Sequence, residues 1–218
     1  MHFIYDNLTA TIIASTVTLI LINMQIQASK KNISKTSRYV VKQQAQTFAS
    51  WMEKDLARIG QNMNPEDETP IKEPQYTTIG DGVRHTTKFT FYRNKIDDDN
   101  GGEDDNLTRV TTRYRVKKVE DEPRNQYQLI RQTKTQGGGG WSDDDGRSSP
   151  TLGYFQLDLL DRNAQRVTSP VSNFGDVEMI RVRFSAYPPF QNEETVLSNT
   201  HIGSFTLVRQ DDGSFTTP

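Results

Sequence analysis

The chain has 218 residues, 26 Lys plus Arg against 28 Asp plus Glu, a net charge of −2, and no cysteine. That length holds one domain with an attachment or two small domains, the charge balance exerts no global pull toward nucleic acid, and the missing cysteine excludes a disulfide framework and thiolate metal sites. With 33% hydrophobic residues and a mean hydropathy of −0.74, a multi-pass membrane protein is excluded as well, and three scattered histidines (His2, His85, His201) do not suit a His-rich metal site.

The first predicted element is an apolar helix. Residues 7–29 carry no charge, and Leu8 to Ile22 is almost wholly apolar or hydroxylated. An uncharged run of more than about 20 residues can span a bilayer. Thr9, Thr11, Ser15, Thr16 and Thr18 interrupt the apolar pattern, but hydroxyls can bond back to their own helix carbonyls. Small residues four apart, Ala10 with Ala14 and Thr11 with Ser15, suit close helix packing. A cleaved secretory signal would need a basic start and a small-x-small site, whereas no Lys or Arg precedes the run and the helical pattern continues past it.

That continuation is amphipathic. No Gly or Pro occurs between Ile26 and Gly60. From Val41 the apolar residues Ala45, Phe48, Met52, Leu56, Ile59 and Met63 recur every three or four positions, the spacing of one helix face. The pattern predicts one helix over about 8–61, roughly 80 Å long at 1.5 Å per residue. The alternative is two helices, broken near 32–37 where propensity is weak. Lys30, Lys31, Lys35, Arg38 and Lys42 form a basic run without an acid. By the positive-inside rule this flank belongs on the cytoplasmic side.

Strands follow. Pro65, Pro70 and Pro74 mark a loop, and then Phe89 and Phe91 alternate with polar residues. Val110, Thr112, Tyr114 and Val116 share one face, and Arg109, Arg113, Arg115 and Lys117 the other. Tyr127 and Leu129; Phe155, Leu157 and Leu159; Ile180, Val182, Phe184 and Ala186; and Phe205 with Leu207 give further alternating runs. Period two with one polar face predicts about six half-buried antiparallel strands. They need an apolar cover, and the helix stripe Val41, Phe48, Met52, Leu56 and Ile59 provides it. The expected fold is therefore α+β: one long N-terminal helix on an antiparallel sheet. The segments are 1–29 as membrane-spanning or core helix, 30–62 as its amphipathic continuation, and 63–218 as a β-rich head.

Two loops, 97–106 and 137–146, are acidic, with six acids among the ten residues of the first. Clustered acids suggest calcium, but Thr108 stands where an EF-hand would place its bidentate Glu. Both are expected to be solvated connections without tight calcium. The Gly137–Gly140 run lacks the Gly-Lys-Ser/Thr of a phosphate loop. No Gly-x-Ser-x-Gly elbow or His-Glu-x-x-His occurs, and Glu193-Glu194 lies in a polar loop where nothing would shift its pKa. No enzyme, cofactor or metal is expected. The Arg109–Lys117 face could meet an anionic polymer, but it reads better as solvated or as facing a neighbour's acidic loops.

The layout resembles that of type IV pilins. Ala45 to Gly60, ending in Asp55, Leu56 and Gly60, is similar to the helix end of the W-type minor pilins and the J-type pseudopilins of type II secretion, and Val177 to Phe184 to their late strand. The resemblance implies a structural filament subunit, partnered by copies of itself or other pilin-like subunits, held in the inner membrane before assembly, with the head outside the cytoplasm. That orientation conflicts with the basic run at 30–42. Those families carry Glu at the fifth residue and a basic leader ending in Gly. Here position five is Tyr5 and the nearest acid is Asp6; a start at the mature end, a non-standard start and an uncleaved anchor all remain open. The assembly residues expected are Met1 and Asp6, pairing amine with carboxylate between neighbours, with Ala10 and Ala14 where helices approach. Two other classes remain open: a single-pass structural protein of another assembly, such as a membrane-containing virus particle, and a tethered enzyme or sugar-binding module.

Overall fold

The computed structural model describes residues 2–64, 68–79, 82–96, 107–120, 125–142, 151–188, 199–210 and 213–217. One helix, α1 (His2–Leu56), precedes eight strands: β1 (Ile71–Ile79), β2 (Val83–Ile96), β3 (Leu107–Glu120), β4 (Gln126–Thr135), β5 (Thr151–Leu160), β6 (Met179–Tyr187), β7 (His201–Arg209) and β8 (Phe215–Thr216). The strands form one sheet in sequence order, with every neighbouring pair antiparallel. The fold is α+β, with the helix packed against that sheet.

The helix is longer at its start than the sequence pattern predicts and shorter at its end. It is unbroken through residues 32–37, because no Gly or Pro interrupts it there and the tertiary contacts begin within that stretch. It stops at Leu56. The next amides turn back three residues, Arg58 N–H to the Asp55 carbonyl and Ile59 N–H to that of Leu56, both 3.1 Å. Gly60 then takes φ +72°, and a Cβ there would press on the Pro70 ring at 3.3 Å. Its N–H donates to the Tyr92 carbonyl at 3.0 Å, which fastens the helix end to β2.

The core lies between the last third of α1 and the sheet. Val41, Phe48, Met52, Leu56 and Ile59 are buried against Phe89, Phe91, Phe155, Leu157, Val182 and Phe184. Phe48 is the hub. Its ring meets Phe184 edge-on at 4.8 Å, Phe155 at 6.4 Å and Trp51 at 6.0 Å. Gly203 on β7 pairs with Phe184. A Cβ at Gly203 would stand 2.4 Å from the Phe184 ring, so the missing side chain gives Phe184 its place under the helix.

The sheet has a seam. β4 and β5 share only the Tyr127–Leu152 pair. Beyond it the β5 edge is met by side chains of the β1–β2 hairpin. Phe155 N–H donates to His85 Nδ1 at 3.1 Å, Leu157 N–H to Thr86 Oγ1 at 2.9 Å, and Tyr76 Oη to the Leu157 carbonyl at 3.3 Å. Backbone groups that would otherwise be orphaned are thereby satisfied.

Two strands escaped the sequence pattern. β1 carries Pro74 and two register shifts, so its alternation is broken, and β8 is two residues long.

Candidate assembly surface

Residues 2–36 of α1 form a rod of about 50 Å at 1.5 Å per residue. Among the described side chains, none before Ser37 is buried. Thirteen large apolar side chains from Phe3 to Ile33 are 49–79% exposed. The helix is long and apolar enough to cross a membrane. Isolated exposed apolar residues are ordinary, but a contiguous surface of this extent marks an interaction site.

The hydroxyls do not spoil that surface. Thr9, Thr11, Ser15, Thr16 and Thr18 each donate to the carbonyl four residues back, at 2.8–2.9 Å. Their polar hydrogens are thus satisfied within the helix, and the outward surface is methyl and methylene. Ala10, Thr11, Ala14, Ser15, Thr18 and Leu19 line an open groove of about 690 Å³. A second helix backbone can approach closely where side chains are this small.

Asp6 is exposed and lies five positions into α1, which begins at His2. The helix dipole falls off within the first turn, so the helix start does not account for Asp6. Among the described residues it makes no ion pair. Met1, its expected partner on a neighbour, lies outside the described residues, as do the whole of the 97–106 loop, residues 143–146 of the 137–146 loop, and Glu193-Glu194.

Between rod and head runs the basic segment. Lys30, Lys31, Lys35 and Lys42 are exposed. Arg38 turns toward the head, its Nε 3.4 Å from Asn199 Oδ1, and Ser34 Oγ is 3.5 Å from the same oxygen. Asn199 is buried, and among the described residues this polar latch is where the head first meets the helix.

At the other end a charged clamp holds the helix. Asp55 is buried and receives Arg131 Nε at 2.5 Å, Arg131 Nη2 at 3.2 Å and the Tyr114 hydroxyl at 2.5 Å. Burial and the nearby Asp55 charge hold the Tyr114 hydroxyl well above its usual pKa, so it stays a donor. Sequence reading singled out Asp55, Leu56 and Gly60 by resemblance but gave Asp55 no partner. The signal was present: Arg131 sits on the same strand face as Leu129, an inward charge that calls for a carboxylate.

A second buried acid was missed. Asp158 on β5 is fully buried and contacts Arg166 at 2.7 Å, Arg183 at 2.9 Å, Arg181 at 3.5 Å and Gln156 Nε2 at 3.1 Å. Burial alone would raise its pKa, but hydrogen bonds from Arg166, Gln156 and Arg183 outweigh it and hold the carboxyl below its ordinary value. The alternation of Phe155, Leu157 and Leu159 drew attention to the opposite face of that strand.

Among the described residues no cluster of three His, Cys, Asp or Glu could hold a metal. The architecture is pilin-like: a long apolar N-terminal helix followed by an antiparallel sheet. In comparisons with protein families, curated proteins and solved structures, nothing matches the chain.

Proposed function

We propose that this chain is a structural subunit of a type IV pilin-like filament, a pilin, minor pilin or pseudopilin, and that the exposed rod of α1 is its assembly element. One observation carries the reading: among the described residues the head meets the helix from Ser34 onward, and the first 36 residues have no buried described side chain. A fully buried Leu or Ile is worth about 1.5–3 kcal/mol. Left in water, half of thirteen such residues would forfeit roughly 10 kcal/mol or more, so the rod must lie in lipid or against other rods. One repeated heterologous contact between rods gives an open fibre.

In this reading the subunit waits in the inner membrane with its head outside the cytoplasm, then leaves the bilayer to pack beside copies of itself or other pilin-like subunits. Asp6, costly in lipid, is matched by a neighbour's terminal amine once both are in a dry core. Helix-to-head docking through Asp55, Leu56 and Gly60 supports the W-type or J-type branch. The role is structural, not catalytic.

One observation favours a second reading. The basic run 30–42 suits a cytoplasmic or headgroup-facing flank, which fits a permanent single-pass anchor of another assembly, such as a membrane-containing virus particle. The test is sedimentation after extraction from native membranes. A filament subunit gives fast-sedimenting polymers for the full chain, and residues 30–218 alone stay soluble and monomeric. A stable oligomer of that fragment would remove the rod from its assembly role.

A further inference from the structure

A pocket of about 310 Å³ lies between the β1–β2 hairpin and the loop that follows β5, with Tyr76, Arg84, Arg166, Thr168 and Ser169 among its walls. No residue of α1 lines it, so rod packing does not use it. Two of its walls are guanidinium groups of unequal circumstance. Arg166 is 42% exposed and already bonds Asp158 with Nε and Nη2. The Arg84 Cζ stands over the Tyr76 ring, 3.3 Å from its centroid, and the side chain makes no ion pair among the described residues. Contact with the ring holds the guanidinium in place while leaving its hydrogen-bond donors unused.

The charge around the pocket does not balance. Arg84 and Arg166 line it against the single acid Glu73. Behind that wall Asp158 is shared by Arg166, Arg181 and Arg183, so it does not belong to Arg166 alone. The loop wall is preformed. Ser169 takes φ +52°, and its carbonyl accepts from the N–H groups of Ser172 at 3.1 Å and Asn173 at 3.2 Å.

We infer that this pocket binds a phosphate monoester, with Arg84 and Arg166 gripping the phosphate and the Thr168 and Ser169 hydroxyls completing its shell. The Arg84 fork, the Arg166 Nη1 hydrogens not spent on Asp158 and two hydroxyls offer more donors than the two oxygens of a carboxylate can use, and they suit a tetrahedral oxyanion. A monoester presents three terminal oxygens to these donors, whereas a diester presents only two, as a carboxylate does. The volume leaves room for a small organic group beside the phosphate.

The test uses the full chain in detergent, titrated calorimetrically with inorganic phosphate, glycerol 3-phosphate and dimethyl phosphate at one ionic strength. The expected result is saturable 1:1 binding of the first two, at least tenfold weaker binding of the diester, and at least a tenfold loss with Arg84→Gln, which breaks no ion pair among the described residues. No saturable binding, or equal binding by the Arg84→Gln variant, would overturn the proposal. Equal binding of the diester would overturn the monoester assignment. Should Arg84→Gln fold poorly, the wild type decides: phosphate must raise its melting temperature above that in chloride of equal ionic strength, and an unchanged melt rejects the site. None of these outcomes depends on filament assembly.

Discussion

Replacing Phe48 by Ala removes the ring on which helix and sheet converge. Phe48 is 3% exposed and touches Phe184 and Phe155 edge-on. Deleting a buried Phe costs about 3–5 kcal/mol, because transfer energy and cavity energy add. The cavity cannot collapse easily here, since Phe184 is seated over Gly203 and would have to leave its place. For 150–250 residues each kcal/mol lowers the melting temperature by about 2–4 °C, so the head should melt about 6–20 °C lower. Phe48→Asp, which buries a charge with no partner, should unfold the head outright. Val17→Ala, on the exposed rod, should leave the melt unchanged. The assay is thermal unfolding of the full chain in detergent, followed by near-ultraviolet circular dichroism. If Phe48→Ala melts within 1–2 °C of the parent, the helix is not the lid of the sheet's core and the packing argument fails.

Asp55→Asn should cost about 3–5 kcal/mol, because the buried carboxylate that receives Arg131 and the Tyr114 hydroxyl would lose its charge; denaturant unfolding checks it, and a loss under 1 kcal/mol would contradict the clamp. His85 accepts through Nδ1 and is held neutral by burial, its pKa lowered to about 4 from 6.5. The unfolded chain takes up that proton near pH 6.5 and the folded chain only near 4, so stability should decline by up to about 3 kcal/mol as pH falls through that window. The Asp158 contribution is lost only below the ordinary carboxylate pKa, so His85→Asn should flatten the 6.5-to-4 slope and leave the acid limb; an unaltered slope would exonerate His85. Asp6→Asn should cut incorporation into filaments steeply while the head melts as before, and wild-type incorporation would leave Asp6 without an assembly role.

The parts that were legible in the sequence are those with a strong period. The helix stripe from Val41 to Ile59 has only one way to hide, and the strands around Phe89, Tyr114, Leu157 and Val182 repeat every second residue on one face. β1 was not legible because Pro74 and its register shifts break the alternation. The helix end shifted because pattern alone carries the apolar series through Ile59 and Met63, whereas Gly60, caught between Pro70 and the Tyr92 carbonyl, imposes a turn. The charged clusters were hidden for a different reason. Alternation assigns Arg131 and Asp158 to a face, but which acid meets which base depends on strand register and on loops far away in the chain. The Asp158 site needs Arg166 from a turn and Arg183 from another strand.

The central claim is that neighbouring subunits meet through the rod of α1. The chain has no cysteine, so single cysteines can be placed without background. Ala14→Cys lies in the small-residue groove, and Val83→Cys lies on the exposed tip of the β1–β2 hairpin. Oxidative cross-linking in native membranes or assembled particles, read on a non-reducing gel, decides between them. The account predicts covalent dimers from Ala14→Cys and monomers from Val83→Cys. Dimers from Val83→Cys with none from any position between 8 and 22 would contradict it.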